Sequence, residues 1–293
     1  MSRPLPLILA QAPGRLADDL AGFAADVERR VKLRTPGALV VYPELHLAER
    51  SAGVAAAPED AAEPVDGPRD ALFSRLAGDL GIWLVPGSVY ELGDDGLVYN
   101  TAPVYSPEGK RLAVYRKVFP WRPYETTVPG VEFKVVDLPG VGRIGLSICY
   151  DTWFPEVSRH LAWMGAELIV NVVRTSTSDR AQEVVLNRAN AIANQVFVAS
   201  VNAAAPSGVG RSLLVDPQGT VRSEAPADGD LTLTDVIDLD EVGTVRRYGT
   251  AGLNRMWQQW RPGDQSVSLP LYGGSIDPNT WTPASLRQDT SDE

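Results

Sequence analysis

The chain has 293 residues and a formal net charge of −10, which argues against nucleic acid and anionic membranes as partners. Its single cysteine excludes an intramolecular disulfide, and its two histidines argue against a histidine-rich metal site. No apolar run approaches the ~18 residues of a membrane-spanning helix, and the N-terminal apolar run is too short for a signal peptide. We therefore expect a soluble cytoplasmic protein, and small neutral substrates stay open.

Short apolar runs alternate with amphipathic stretches along the chain, and Gly and Pro punctuate a β-rich middle. The predicted elements, in chain order, are a strand at 5–10, a helix within 15–33, a strand at 38–42, a helix at 71–81, β segments within 83–91, 98–118 and 132–149, a helix at 155–165, a strand at 166–173, a helix at 179–195, a strand at 196–202 and a hairpin around 216–219. Within the second β segment, "SPEGK" (106–110) predicts a hairpin turn. This order indicates a mixed sheet in a layered α/β domain.

No repeat or linker interrupts residues 1–260, so we expect one domain there. Residues 261–293 are rich in Pro, Gly, Ser and Asp and lack periodicity. We expect them to form a C-terminal tail that packs on a surface or a partner subunit rather than a second domain. Its apolar anchors would be Leu269, Leu271, Tyr272 and Trp281.

The lone cysteine, Cys149, ends the apolar run "IGLSIC" and is followed by "YDTWFPE". A buried structural cysteine is the ordinary interpretation of such a residue. However, Pro155 and Glu156 are typical of the first turn of a helix, which predicts a strand-to-helix turn at the thiol. Backbone N–H groups converge at such a turn and can stabilise a thiolate or an oxyanion. The position therefore suits a nucleophile, provided that a base lies nearby.

Histidine is the usual base, but His160 lies in the predicted helix and is expected to point away from the thiol, whereas His46 stays open. Other residues could take this part: a carboxylate could act as the base, and a lysine could supply a cation. Glu44 follows the predicted strand at 38–42, and Lys117 follows the predicted strand at 111–116. Glu125 comes eight residues after Lys117. Each of these residues alone would be an ordinary surface charge.

Taken together, "YPE" with Glu44, "YRK" with Lys117 and "ICYDTWFPE" with Cys149 resemble the nitrilase superfamily of carbon–nitrogen hydrolases. The resemblance covers about residues 5–255. It implies an α/β fold, the αββα sandwich, and a homodimer or higher homo-oligomer in which sandwiches pair into four-layer assemblies. It implies no metal and no cofactor.

The resemblance also implies roles. Glu44 corresponds to a general base, Lys117 to a cation that holds an oxyanion, and Cys149 to the nucleophile that forms a thioester. The N–H of Tyr150 corresponds to a second oxyanion donor. Glu125 matches a residue that orients the substrate amide in some members.

Two features favour an amide over a nitrile as substrate: the spacing of Glu125 from Lys117, and Tyr150 where true nitrilases usually carry tryptophan. "CYDTWFPE" resembles carbamoylase-like and general amidase members more than the members that act on the smallest amides. Trp153 is therefore predicted either to wall an acyl pocket or to pack in the core. Arg174 is predicted either to bind a substrate carboxylate or to form a salt bridge. N-carbamoyl hydrolysis, acyl transfer, nitrile hydrolysis and a non-catalytic binding role are the alternatives.

Overall fold

The computed structural model describes residues 2–31, 36–269 and 271–276. The chain divides into two units, Met1–Arg255 and Met256–Glu293. In the second unit, the described residues form two 3₁₀ turns, Met256–Gln258 and Leu271–Gly274. The predicted anchor Trp281 and the side chains of Leu271 and Tyr272 lie outside the described part of the chain.

All of the strands and α-helices in the described part of the chain fall in the first unit. The strands are β1 (Pro4–Gln11), β2 (Arg15–Leu16), β3 (Leu39–Val41), β4 (Leu47–Ser51), β5 (Val54–Ala55), β6 (Trp83–Val85), β7 (Val89–Leu92), β8 (Val98–Tyr105), β9 (Arg111–Arg116), β10 (Val135–Leu138), β11 (Gly142–Ile148), β12 (Leu168–Val173), β13 (Phe197–Asn202), β14 (Leu213–Val215), β15 (Val221–Glu224) and β16 (Leu231–Asp238). The helices are α1 (Leu20–Val31), α2 (Pro58–Ala61), α3 (Pro68–Leu80), α4 (Pro155–Trp163), α5 (Arg180–Asn194) and α6 (Asp240–Tyr248). Within the described residues, no helix is long and apolar enough to cross a bilayer.

Two mixed sheets form the body of the unit. The first runs in the order β16-β1-β3-β6-β8-β7, with β9 paired to β8, and the second runs β10-β11-β12-β13-β14-β15. The parallel pairs β1–β3–β6 and β11–β12–β13 lie at the centres of the two sheets. Central parallel strands are buried on both faces, which explains why their sequences are continuous apolar runs.

Alternate residues of each central strand face different layers. In β1, Leu7 and Leu9 enter the core between the two sheets, whereas Ile8 packs towards α1 and α3. On the second sheet, Leu146 of β11 joins the same inter-sheet core. Helices α4 and α5 contact the second sheet. The predicted αββα sandwich is therefore confirmed.

Some elements differ from the sequence-based expectation. The helix predicted within 15–33 begins only at Leu20. The segment after β3, for which the sequence predicted no helix or strand, contains the short strand β4. Strand β16 and helix α6 were not predicted. β16 pairs antiparallel with β1 at the edge of its sheet and buries only one residue fully, so it lacks the apolar pattern of a central strand.

Candidate active site

Three strand ends bring the predicted site residues together. Glu44 follows β3, Lys117 directly follows β9, and Cys149 directly follows β11. Glu44 and Cys149 line one cavity of about 60 Å³, together with Glu125 and Tyr150. Both sheets thus contribute residues to a single site.

Lys117 is fully buried and connects two carboxylates. Its Nζ lies 3.0 Å from Glu44 Oε1 and 2.6 Å from Glu125 Oε1. Burial alone would lower the pKa of Lys117, but the negative charges around it, above all that of Glu44, raise the pKa well above its ordinary value. Lys117 is therefore an ammonium at neutral pH.

Glu44 is buried and held from two directions. Its Oε1 accepts hydrogen bonds from Lys117 Nζ and, at 2.9 Å, from Asn100 Nδ2. Its backbone N–H donates to the carbonyl of Val173 on the second sheet, at 3.3 Å. These bonds hold the carboxylate beside the cavity. Both side chains that bond to it are donors, so Glu44 is the proton acceptor of this group.

Cys149 begins a 3₁₀ turn, Cys149–Trp153, between β11 and α4. Its φ of 46° lies in the left-handed region, which residues with a Cβ rarely adopt. Strained backbone of this kind costs about 1–3 kcal/mol and clusters at functional sites. Pro155 is the first residue of α4, as predicted from the sequence. The strand-to-helix turn at the thiol is therefore present.

Asp151 fixes this turn to the lysine-bearing strand and loop. Its carboxylate accepts the N–H of Ile148 at 2.9 Å, the hydroxyl of Tyr115 at 2.8 Å and the N–H of Phe119 at 2.9 Å. Asp151 is fully buried, and burial raises its pKa to about 6 against the opposing effect of Lys117. The turn carrying the thiol and the segment carrying Lys117 thus share one anchor.

The thiol itself is held in its neutral form. Burial raises the pKa of Cys149 well above its ordinary value, the charge of Glu44 adds to this, and Lys117 opposes it. Cys149 Sγ lies 3.7 Å from Thr175 Oγ1, which in turn bonds to the carboxylate of Glu183. The resting site therefore needs a base to generate the thiolate.

Of the two carboxylate oxygens of Glu125, one has a hydrogen-bond partner and the other has none among the described residues. Oε1 bonds to Lys117, whereas Oε2 is buried and has no hydrogen-bond partner within the described ranges. Burial raises the pKa of Glu125, with Lys117 opposing. A buried acceptor without a donor is costly, so this oxygen is available to a ligand N–H.

The other predicted binding residues fall in different places. Tyr150 and Arg174 line the cavity. Arg174 donates to Glu49 at 2.9 Å, and Glu49 is itself buried. Trp153 is not among the residues that line the cavity, and its indole N–H lies 3.5 Å from Glu183 Oε1.

Neither histidine lines this cavity. His46 is buried against the rings of Tyr42 and Phe23, and burial lowers its pKa to about 3. His160 is exposed and stacks on Phe133, at 4.9 Å between ring centroids. Among the residues that the structure describes, no group of three or more His, Cys, Asp or Glu side chains could hold a metal ion.

Four residues that contact or adjoin the predicted site residues were not predicted from the sequence. Asn100 is a polar residue within the largely apolar strand β8, and this pattern could have identified it as a candidate site residue. Asp151 was noted only as part of the turn. Glu183 lies in the first turn of α5 and Trp121 in the loop after β9, and neither position has a local signal that relates it to the cavity.

Several known proteins are similar to this chain in sequence and fold. Formamidase of Bacillus cereus (strain B4264) is 35% identical over 146 residues, which are 50% of this chain and 44% of the formamidase. Nit3 of Saccharomyces cerevisiae, a member of branch 10 of the nitrilase superfamily, is 26% identical with a TM-score of 0.73, covering 84% of this chain and 94% of Nit3.

A cysteine-to-alanine variant of the amidase from Nesterenkonia sp. AN1, in complex with butyramide, is also 26% identical. Its TM-score is 0.69, over 84% of this chain and 95% of the amidase. The family model for carbon-nitrogen hydrolase matches residues 9–247. The chain therefore belongs to the carbon–nitrogen hydrolase family.

Proposed function

We propose that this chain hydrolyses the C–N bond of a small amide through a thioester on Cys149, releasing a carboxylic acid and ammonia or an amine. The observation that carries the proposal is the Lys117 ammonium, which joins Glu44 and Glu125 beside the cavity that contains the thiol. A thiol, a base and a cation around one small cavity are the groups that acyl transfer needs.

In the first half-reaction, Glu44 takes the proton of Cys149 as the sulfur attacks the amide carbonyl. The raised pKa of the thiol supports a proton transfer coupled to attack rather than a preformed thiolate. Lys117 and the N–H of Tyr150 hold the oxyanion of the tetrahedral intermediate. Glu44 then returns the proton to the leaving nitrogen, the C–N bond breaks, and the thioester remains.

In the second half-reaction, Glu44 removes a proton from water as the water oxygen attacks the thioester carbonyl. The C–S bond breaks, Cys149 regains its proton, and the carboxylic acid leaves. The balance is one amide and one water consumed for one acid and one ammonia or amine. No proton carrier beyond Glu44 is needed, which agrees with the position of both histidines outside the cavity lining.

Glu125 supports an amide rather than a nitrile as the substrate. Its buried Oε2 can accept an N–H of the amide NH₂ group. A nitrile has no N–H to donate and would leave this oxygen unpaired, at a cost of about 1–3 kcal/mol or more. We assign Glu125 the role of orienting the substrate amide.

The cavity supports a short, uncharged acyl group. Its volume of about 60 Å³ is small, and its lining includes Glu44, Glu125 and Glu183, which would repel a substrate carboxylate. The guanidinium of Arg174 is already paired with Glu49. N-carbamoyl amino acids, the main alternative, are thereby disfavoured. The relation to a formamidase and to a butyramide-binding amidase agrees with a small substrate.

We further propose that the chain forms a homodimer through α4 and α5. The two helices expose apolar side chains that a solvent-facing surface does not need, among them Trp163 at 75% and Val185 at 64% exposure. The expectation that the tail from Arg261 packs on the partner subunit remains part of this proposal.

The test of the proposed function is ammonia release from a panel of short amides, N-carbamoyl compounds and nitriles. We expect the highest kcat/KM with uncharged amides. Added hydroxylamine distinguishes hydrolysis from transfer, because a transferase would form hydroxamate in preference to acid. A panel in which amides gave no ammonia while nitriles or N-carbamoyl compounds did would contradict the proposal.

A further inference from the structure

A buried carboxylate, Glu183, contacts the thiol through one intervening hydroxyl. Glu183 lies in the first turn of α5 and pairs with Arg180, whose Nη1 is 3.0 Å from Oε2. Both side chains are about 2% exposed. The proposed reaction uses neither of them, although burying an ion pair is costly unless its hydrogen bonds are well satisfied.

The hydroxyl of Thr175 lies between Glu183 and Cys149. Its Oγ1 is 2.8 Å from Glu183 Oε1, 2.9 Å from Glu183 Oε2 and 3.7 Å from Cys149 Sγ. Asn202 holds the Thr175 backbone at both ends, accepting its N–H at 2.8 Å and donating to its carbonyl at 3.0 Å. The hydroxyl is therefore confined to this position.

The direction of each hydrogen bond follows from proton counting. Glu183 forms an ion pair with Arg180, and a carboxylate in an ion pair can only accept hydrogen bonds. The single hydroxyl proton of Thr175 must then point to Glu183. Thr175 consequently presents lone pairs to the sulfur, and the thiol of Cys149 is the donor in the 3.7 Å contact.

We infer that Glu183 is a positioning residue that acts through Thr175 to keep the resting Cys149 thiol protonated. A thiolate would face the lone pairs of Thr175 and the charge of Glu183, whereas a neutral thiol donates its proton there. Deprotonation is thus left to Glu44 once a carbonyl carbon is in place to receive the sulfur. The free enzyme gains resistance to alkylation and oxidation, because these reactions need the thiolate.

Other charges also act on the thiol and must be separated from this effect. Glu44 and Glu125 raise the pKa of Cys149 together with Glu183, and the Lys117 ammonium lowers it, while burial contributes the largest increase. Arg180 also interacts with the thiol from α5. A test therefore has to distinguish a relay through Thr175 from a simple loss of negative charge.

The inference rests on the proposed function only in taking Cys149 as the nucleophile, and its test needs no substrate. Cys149 is the sole cysteine, so modification by methyl methanethiosulfonate, followed by intact mass, reports on this thiol alone. The reagent is small, uncharged and not an amide. The measured quantity is the pH midpoint of the modification rate in wild type, Glu183→Gln, Thr175→Val and the double variant.

In wild type we expect slow modification at pH 7 and a rate that still rises above pH 9. In Glu183→Gln the amide NH₂ can donate to Thr175, which frees the hydroxyl proton to turn towards the sulfur. The midpoint should fall by about one pH unit or more, which accelerates modification at neutral pH about tenfold. A site that was merely loosened would react faster at every pH without a shift of the midpoint.

The Thr175→Val background shows whether the effect of Glu183 on the thiol passes through the Thr175 hydroxyl. If the effect passes through the hydroxyl, Glu183→Gln should shift the midpoint much less when Thr175 is already valine. Equal shifts in both backgrounds, or no shift in either, would overturn the inference while leaving amide hydrolysis intact. If Glu183→Gln fails to fold, the pH midpoints of wild type and Thr175→Ser still test the inference. A wild-type midpoint below the ordinary thiol value, or a Thr175→Ser profile unlike that of wild type, would also overturn it.

Discussion

Lys117 Nζ lies 3.0 Å from Glu44 Oε1, and both side chains are almost entirely buried, at 0% and 3% exposure. Glu125 stands on the other side of the same ammonium, at 2.6 Å. Two carboxyl groups therefore flank one ammonium in a confined space. A neutral substrate and a developing oxyanion near Lys117 suit this arrangement better than an anionic substrate does.

Removal of the ammonium should slow turnover severely. In Lys117→Ala, the oxyanion loses its cation, and Glu44 loses the partner that orients it. We expect kcat to fall at least about 10²–10³-fold, the usual cost of one oxyanion donor. Steady-state ammonia release measures the effect. Lys110→Ala is the matched control, since Lys110 is exposed in the turn before β9, and an equal loss in both variants would contradict the assignment.

Replacement of Glu125 should affect amides specifically. In Glu125→Gln, the buried acceptor that we assign to the substrate NH₂ group is weakened, and amide turnover should fall about 10–100-fold, the contribution of a charge-assisted hydrogen bond. Matched pairs of an amide and the nitrile of the same acyl group provide the measurement. Glu132→Gln, in the same loop but exposed, should behave as wild type. Faster turnover of nitriles than of amides by wild type would make the substrate assignment wrong.

His46 should make the fold sensitive to acid. Its pKa is lowered to about 3 by burial, and neither ring nitrogen has a partner among the described residues. The unfolded chain takes up this proton as the pH falls through ~6.5, whereas the folded chain does not. The free energy of unfolding should therefore decrease below that pH, by at most ~1.4 kcal/mol per pH unit from this group.

His46→Phe tests this pH dependence. The phenyl ring can occupy the same position against Phe23 and Tyr42 but cannot titrate. Urea unfolding at several pH values should show a weaker acid dependence in His46→Phe than in wild type between pH 6 and 4. His160→Phe, at an exposed position, is the control and should keep the wild-type slope. Parallel slopes for wild type and His46→Phe would show that His46 does not titrate as inferred.

The exposed apolar face of α4 and α5 should hold two copies together. Light scattering at micromolar concentration should give twice the mass of one chain. Val185→Arg places a charge on this face and should shift the mass towards the monomer. Val236→Arg, at another exposed valine on β16, is the matched control. A wild-type monomer, or dissociation by the control alone, would refute this interface.

The parts of the site that the sequence predicted are those with a local signal. Glu44, Lys117 and Cys149 each follow a strand, and polar residues at the ends of apolar runs are visible in the sequence. Pro155 likewise marked the start of α4. Central strands are continuous apolar runs because both of their faces are buried, so a layered α/β domain was also predictable. The αββα sandwich itself was implied by the family resemblance.

The remaining contacts depend on which elements pack together. Glu183 reaches the thiol only because α5 packs beside the turn that begins at Cys149, and Thr175 bridges them after β12. Asn100 contacts Glu44 only because β8 and β3 lie in one sheet, with β6 between them. Strand β16 is a half-exposed edge strand, so its sequence carries little periodic signal.

Ammonia release by wild type and by Cys149→Ala, with the same short amide and equal protein concentrations, tests the central claim most directly. Substitution of the partly buried thiol by a methyl group should leave the fold and the oligomeric state unchanged, which thermal unfolding and light scattering would verify. We predict steady ammonia release from wild type and none above the buffer blank from Cys149→Ala. Turnover by Cys149→Ala at a rate near that of wild type would contradict the account.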